Sequence, residues 1–563
     1  MKTKNKDLIF NILIALAIAL IFNIPYLTKD FLGIEHDTFF HLARIEGLAT
    51  SIKEGNILPA IYPYKNNGFG YASPLFYSDF FLFMPALLYL LGLSLANSYK
   101  VCIFLFTFVA SLNMLFLLSK VSKNKLTVIV GTLAYTFSNY HISDVYVRGA
   151  LGEVSAMMFL PLLLDGIYEL LYKRSDKYYL LVIALVGLIL SHNLSFLLGM
   201  VVLLIFVLIN IKSIDKRIFL NLFKGCFLAF LLTLFYTIPM LEQVSYQELY
   251  LHYYGKHSSL ESYTIPFWKY FVNKTIFGYG ENYQAYDKSM LVNVGWYLTF
   301  IPLLYAFIKK KNKFITSLLI VGYIFMILPS NIIPWQYLSI FRILQFPWRL
   351  EIITMLLLSG VVCYVMDNIN YSKVISIFSI VFICIEGIYH LIPVYSRTFG
   401  ISSVNTYEDI TSGKLCNPYY SATYKRVELC GGDYLPLDSV DFRPYSNTIK
   451  LIDGSDTDIS YIKRGTTLAF EVNEEYMGKK IVLPITIYKG YKLYVDGKEV
   501  SIERYNGLIS FDCKVAGAYT LKYENTPIRN ICIVISGITV IYLFYCRYHF
   551  GYLKNNNQIH QNI

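Results

Sequence analysis

The sequence predicts a polytopic α-helical membrane protein of about twelve spans that carries an extracellular antiparallel β-sandwich near its C-terminus. Three observations predict it. Of 563 residues, 55% are hydrophobic and only 15% charged, a balance foreign to soluble globular chains of this length. Apolar runs of near-spanning length recur along residues 1–393, separated by short basic loops. From 394 to 527 charge rises, and alternating strand patterns replace the apolar runs.

The spans follow in order. Lys2, Lys4 and Lys6 precede a first run at 8–28. It resembles a signal peptide, but no small-residue cleavage site follows before Asn23-Ile24-Pro25, so a retained helix is expected. Further spans are expected at 99–119, 125–140, 154–172, 178–192, 194–211, 218–240, 291–308, 314–329, 350–368, 372–393 and 528–546. The basic clusters around Lys120, Lys173, Lys212, Lys309 and Lys373 all fall on one side if the apolar stretch 80–93 does not cross, so that stretch is read as an interfacial helix. Both termini are then cytoplasmic, and the segments 29–97, 141–153, 241–290 and 394–527 face outside. The formal charge of +11 is thus a topology signal and not a nucleic-acid patch. The expected organisation is a transmembrane domain at 1–393 with a long first outer loop, a β-rich domain at 394–527, and a final helix and tail at 528–563.

Within the β-rich part, Thr467–Val472, 481–487, 492–495 and 499–504 read as strands, with Asp496-Gly497 as a hairpin turn. None of the nine cysteines forms a CxxC pair, which leaves no zinc or redox motif. Cys416 and Cys430 could bridge in an extracellular domain or remain two free thiols.

Chemistry concentrates at the ends of apolar runs. After the first span comes Glu35-His36-Asp37, followed by His41 and Arg44. Charge turned toward a helical bundle costs about 2.5–3.5 kcal/mol per group and usually marks a site. With a helix starting after Asp37, that residue, His41 and Arg44 share one face. Asp37 can accept a proton or bind a cation, or it can simply cap the helix. The 141–153 loop supplies Asp144, Arg148 and Glu153, either as site groups or as a salt-bridged turn. His192 lies between two spans, where a hydrogen-bonded boundary role competes with a ligand role. Gln345, Trp348 and Arg349 flank Pro347; Arg342 and Arg349 could fork onto a lipid phosphate or snorkel to the interface. Asn66-Asn67-Gly68-Phe69-Gly70 is a turn signal and not a phosphate loop.

The strings HDTFFHLARIEGLATSIKEGN, YPYKNNGFGYASPLFYSDFFLF, VYVRGALGE, LSHNLS and ILQFPWR, with GGDYLPLDS and YKGYKLYVDGKEV in the β-rich part, resemble a bacterial multi-span family, the 6-pyruvoyl-tetrahydropterin-synthase-related membrane domain. That family is similar in turn to the GT-C class of membrane glycosyltransferases. No histidine trio suits a pterin-synthase zinc site. The resemblance implies a plasma-membrane enzyme that moves a sugar from a polyprenyl-phosphate donor to a cell-envelope polymer or glycan, with inversion. It implies Asp37, Glu153 and Arg148 as catalytic groups and leaves room for Asp144 beside them; the charged and polar pattern at the outer span ends adds His36, His41, Arg44, Asp144, His192, Gln345 and Arg349 as expected substrate-binding residues. A divalent cation, Mg or Mn, belongs to the class, although this chain has a single aspartate in Glu35-His36-Asp37 where the class doubles it. Membrane lipids and the lipid-linked donor are the expected partners, and no nucleic acid is expected. A lipid-linked-sugar transporter and a non-catalytic envelope scaffold are the competing readings.

Overall fold

The computed structural model describes residues 2–29, 31–33, 35–257, 259–271, 292–395, 401–402, 432–439 and 447–560. Cys416 and Cys430 lie outside the described residues.

Seven described helices are long and apolar enough to cross a membrane: Asn5–Phe22, Leu95–Val121, Leu151–Tyr172, Lys216–Tyr246, Pro347–Asn368, Ser372–Ile392 and Pro527–Cys546. This is the architecture of a membrane-embedded helical protein. Seven replaces the expected twelve. The other five expected spans are apolar helices that are too short: Lys125–Thr136, Tyr178–Ser191, Asn193–Ile209, Trp296–Phe307 and Lys313–Ile327. At about 1.5 Å per residue, such helices fall short of a hydrocarbon core about 30 Å thick. Phe80–Leu90 is shorter still.

Polar caps set several of these boundaries. Ser94 accepts from Asn97 N, Asn124 from Leu126 N, and Asn312 from Phe314 N, each at the start of an apolar run. The helices differ in how far they are enclosed. The Pro347–Asn368 window is 94% buried and the Leu151–Tyr172 window 83%, against 22% for Pro527–Cys546 and 28% for Asn5–Phe22. The two most enclosed helices therefore form the centre of the bundle, and their charged residues are the costly ones.

The chain divides into two compact units that interleave along the sequence. The first comprises Met1–Ile57, Asp79–Phe219 and Tyr250–Asp433; the second comprises Leu58–Ser78, Leu220–Leu249 and Tyr434–Ile563. The first long loop is thus shared between units, where one transmembrane domain running to 393 was expected.

Among the described residues the second unit holds nine short strands: β1 (Lys450–Leu451), β2 (Tyr461–Arg464), β3 (Thr467–Val472), β4 (Lys480–Thr486), β5 (Tyr491–Val495), β6 (Lys498–Val500), β7 (Glu503–Tyr505), β8 (Leu508–Asp512) and β9 (Gly517–Tyr523). They form two antiparallel sheets, ordered β1-β4-β8-β7 and β2-β3-β9-β5-β6. Asp496 and Gly497, at φ 49° and 77°, make the two-residue turn between β5 and β6. The expected single strand at 499–504 divides, β6 joining one sheet and β7 the other. One hydrophobic core takes side chains from both sheets, Phe470, Leu493 and Leu521 from one and Ile481, Leu483 and Phe511 from the other. Ala60, Ile61, Leu75 and Phe76, from the first long loop, complete it. That loop also bonds to the strands: Thr486 N donates to Phe69 O at 2.8 Å and Lys463 Nζ to Pro63 O at 2.8 Å.

Candidate functional site

Two backbone hydrogen bonds build the site. His36 N donates to Val147 O at 3.2 Å, and Asp37 N to Arg148 O at 2.8 Å. They join Glu35-His36-Asp37 to a π-helical turn, Asp144–Arg148, in the 141–153 loop. π-turns are rare and concentrate at functional positions. Gly149 follows at φ +60°, and a Cβ there would lie 2.6 Å from Thr38 Oγ1 and 3.0 Å from Glu35 Cβ. Only glycine allows the two segments to approach this closely.

Asp37 occupies the cap position of the Thr38–Lys53 helix, yet its side chain makes no capping hydrogen bond. A cap role therefore does not account for it. Asp37 and His36 are half-buried, while Glu35 is buried and accepts from Thr38 Oγ1.

A four-charge network lies alongside. Glu153 Oε1 accepts from Arg148 Nη2 at 2.9 Å and from Arg349 Nε at 2.8 Å, while Tyr140 Oη donates to Glu153 Oε2 at 2.7 Å. Arg148 Nη1 also pairs with Asp144 Oδ1. All four charged residues are buried. The expected turn salt bridge between Arg148 and Glu153 is real, but it is part of a buried cluster and not a surface pair. Arg349 does not snorkel: its Nη1 donates to Leu344 O at 3.0 Å and to Gln345 Oε1 at 2.5 Å. Arg342, by contrast, is exposed.

Aromatic rings floor the network. Trp348, expected as an interface anchor, is buried with the Arg148 guanidinium 4.5 Å from its ring centroid. The Arg349 guanidinium lies 4.9 Å from the Phe346 ring, and the two rings stack at 4.8 Å and 6°. Each arginine thus has a ring on its face and acids on its edge, which fixes both guanidinium planes. Gln345 adopts φ +61°, an uncommon value for a residue with a side chain, at the position that meets Arg349.

The remaining expected site residues form a second group. Arg44 donates to Asp79 Oδ1 from Nε at 3.1 Å and Nη2 at 2.7 Å, and its Nη1 lies 3.4 Å from His41 Nδ1. Burial, and then the nearby Arg44 and His192, hold the His41 imidazole well below its usual pKa. His192 caps the Asn193–Ile209 helix, its Nδ1 accepting from Ser195 N at 3.3 Å. It is also within electrostatic reach of Glu153, Arg349, Arg148 and Arg44, so it links the two groups.

Burial and the Glu153 carboxylate push the Asp144 carboxyl well above the usual range, against the pull of Arg148. Asp144 Oδ2 is buried without a hydrogen-bond partner. Two residues escaped the sequence reading. Asp79, inside the quoted YSDFF stretch, neutralises Arg44. Asp433 lies in GGDYLPLDS, a stretch whose pattern places it with the β-rich domain, yet it belongs to the first unit. Burial and the Asp37 carboxylate raise its pKa to about 7, with Arg349 opposing. It therefore stands near both Asp37 and Arg349. Among the described residues no group of three or more His, Cys, Asp or Glu is placed to hold a metal ion.

No family model matches the chain. It is similar to an uncharacterized protein of Lactococcus lactis subsp. cremoris (strain MG1363), with 27% identity over 248 residues. The match covers 41% of this chain and 39% of that relative, so the chain spans about two fifths of the length of the curated relative it matches.

Proposed function

We propose that this protein is a GT-C-like membrane glycosyltransferase that moves a sugar from a polyprenyl-phosphate donor to a hydroxyl of an extracellular envelope glycan. The observation that carries the reading is the Asp37–Arg148 backbone bond: it sets a half-buried carboxylate, unused as a cap, beside a rigid arginine cluster. Asp37 accepts the acceptor hydroxyl's proton as that oxygen attacks the anomeric carbon. The carbon–oxygen bond to the donor phosphate breaks, and the phosphate leaves with the electron pair. Arg349 spends Nε and Nη1 on Glu153, Leu344 and Gln345, and Nη2 remains to meet the departing anion. Fixed donors stabilise developing charge without reorganising. One base and no covalent intermediate give inversion at the anomeric carbon. No step is assigned to a metal.

The reading includes a topology. The basic loops lie in the cytoplasm. The β-rich unit, a sandwich in view of the core its sheets share, then lies outside the cell.

The test uses purified full-length protein in lipid vesicles with a labelled polyprenyl-phosphate sugar and an envelope-glycan acceptor. A positioned general base contributes about 100- to 10,000-fold, so Asp37→Asn is expected to lower transfer by at least about 100-fold with Asp37→Glu partly active. Unchanged transfer in Asp37→Asn, or donor translocation without bond cleavage, would replace the enzyme reading with the transporter one.

A further inference from the structure

We propose that Glu351 is a buried proton-binding site, whose proton fastens the Phe267–Phe271 turn to the start of the Glu351–Asn368 helix. Neither group belongs to the cluster around Asp37, and no reaction there is required.

A count of hydrogens carries the assignment. Tyr270 Oη lies 2.5 Å from Met326 O and 2.6 Å from Glu351 Oε1. A phenol has one hydrogen to donate, and a peptide carbonyl can only accept. If the phenol hydrogen goes to Met326 O, the contact with Glu351 needs a hydrogen from the carboxyl. With Glu351 ionised, one of the two short contacts would bring together oxygens with no hydrogen between them. The protonated acid satisfies both: Glu351 donates to Tyr270, and Tyr270 donates to Met326.

The surroundings agree. Glu351 is fully buried, and its Oε2 has no hydrogen-bond partner. Thr354, one turn further along the helix, is also buried, and its hydroxyl faces Glu351. Tyr270 and Thr354 are the side chains that act on Glu351, and neither is a cation. Met326 stands in the last turn of the Lys313–Ile327 helix, whose carbonyl end carries partial negative charge. Arg349, two residues earlier, is engaged with Glu153, Leu344 and Gln345. The start of the Glu351–Asn368 helix favours an anion, but only weakly against the cost of an unpaired charge at a buried position.

The site joins three elements. Tyr270 comes from the Phe267–Phe271 turn, Met326 from the Lys313–Ile327 helix, and Glu351 from the helix that follows directly on Arg349. Loss of the proton would leave one phenol hydrogen for two acceptors, so Tyr270 would keep either Glu351 or Met326 and release the other, and the three elements would no longer be held together.

Infrared spectroscopy of the full-length protein in lipid vesicles at neutral pH tests this. The wild-type minus Glu351→Gln difference spectrum should show a protonated-carboxyl C=O band that shifts on exchange into D₂O. Glutamine can still donate to Tyr270 through its amide, so Glu351→Gln should melt close to wild type. Tyr270→Phe retains Glu351 but removes its partner, so the band should persist and move to higher frequency. If Glu351→Gln fails to fold, the Tyr270→Phe shift alone decides the matter. A carboxylate stretch in place of the C=O band, or no band movement in Tyr270→Phe, would overturn the proposal.

Discussion

Glu153 accepts from two guanidinium groups while Asp144 shares only one of them, and this asymmetry orders the acids of the site. Glu153 is the better compensated anion. Asp144 and Asp433 are the groups most inclined to hold protons. For Asp433 the consequence for stability has a definite sign. Its pKa, raised to about 7, exceeds that of an unfolded carboxyl, so it supports folding at low pH, and that support is lost as pH rises toward 7. The melting temperature of the wild type should therefore fall more steeply from about pH 5 to about pH 8 than that of Asp433→Asn. The two proteins should be nearest in stability at the acid end, and parallel pH profiles would remove Asp433 from the neighbourhood of Asp37. At this scale much of the site was legible in the sequence. Asp37, Arg148, Glu153 and Arg349 stand out as charges abutting apolar runs, where burial is costly. Asp79 and Asp433 did not stand out, because each gains its meaning from a partner remote in sequence.

At the scale of elements, the junction of the first loop with the π-turn decides whether the site exists. Gly149 permits it by lacking a Cβ, and Gly92 makes a suitable control. Both glycines have positive φ, at +60° and +101°, but a Cβ on Gly92 meets nothing within 4 Å, whereas one on Gly149 strikes Thr38 and Glu35. Gly92→Ala should cost about 1 kcal/mol of backbone strain. Gly149→Ala should cost more, by about 1–3 kcal/mol of overpacking, seen as a larger drop in melting temperature. Equal drops would mean that the two segments do not meet as described. The helices show the same division between local and remote causes. Ser94, Asn124 and Asn312 cap helix starts through contacts with residues two or three positions on, a local cause. The π-turn at Asp144–Arg148 has no sequence signal, since it arises from packing.

For the whole molecule, the distribution of charge supplies a prediction of topology. Lys123 belongs to a basic loop assigned to the cytoplasm, while Lys498 lies in β6, assigned to the outside. With native cysteines replaced, Lys498→Cys should react with a membrane-impermeant thiol reagent on intact cells, and Lys123→Cys should react only after permeabilisation. The reverse pattern would invert the orientation and place Asp37 on the cytoplasmic side.

Taken by itself, the sequence determined the helical, membrane-type class of the protein, because apolar runs of near-spanning length suit helices that satisfy their own backbone hydrogen bonds in lipid. It also determined the turn at Asp496-Gly497 and the strand before it, because alternation and turn chemistry are local. Only the tertiary structure decided which helices reach spanning length, that residues 58–78 complete the core of the β-rich unit, and that Asp37, Arg148, Glu153 and Arg349 gather in one place. Those outcomes depend on contacts between residues far apart in the chain, which neither periodicity nor spacing encodes.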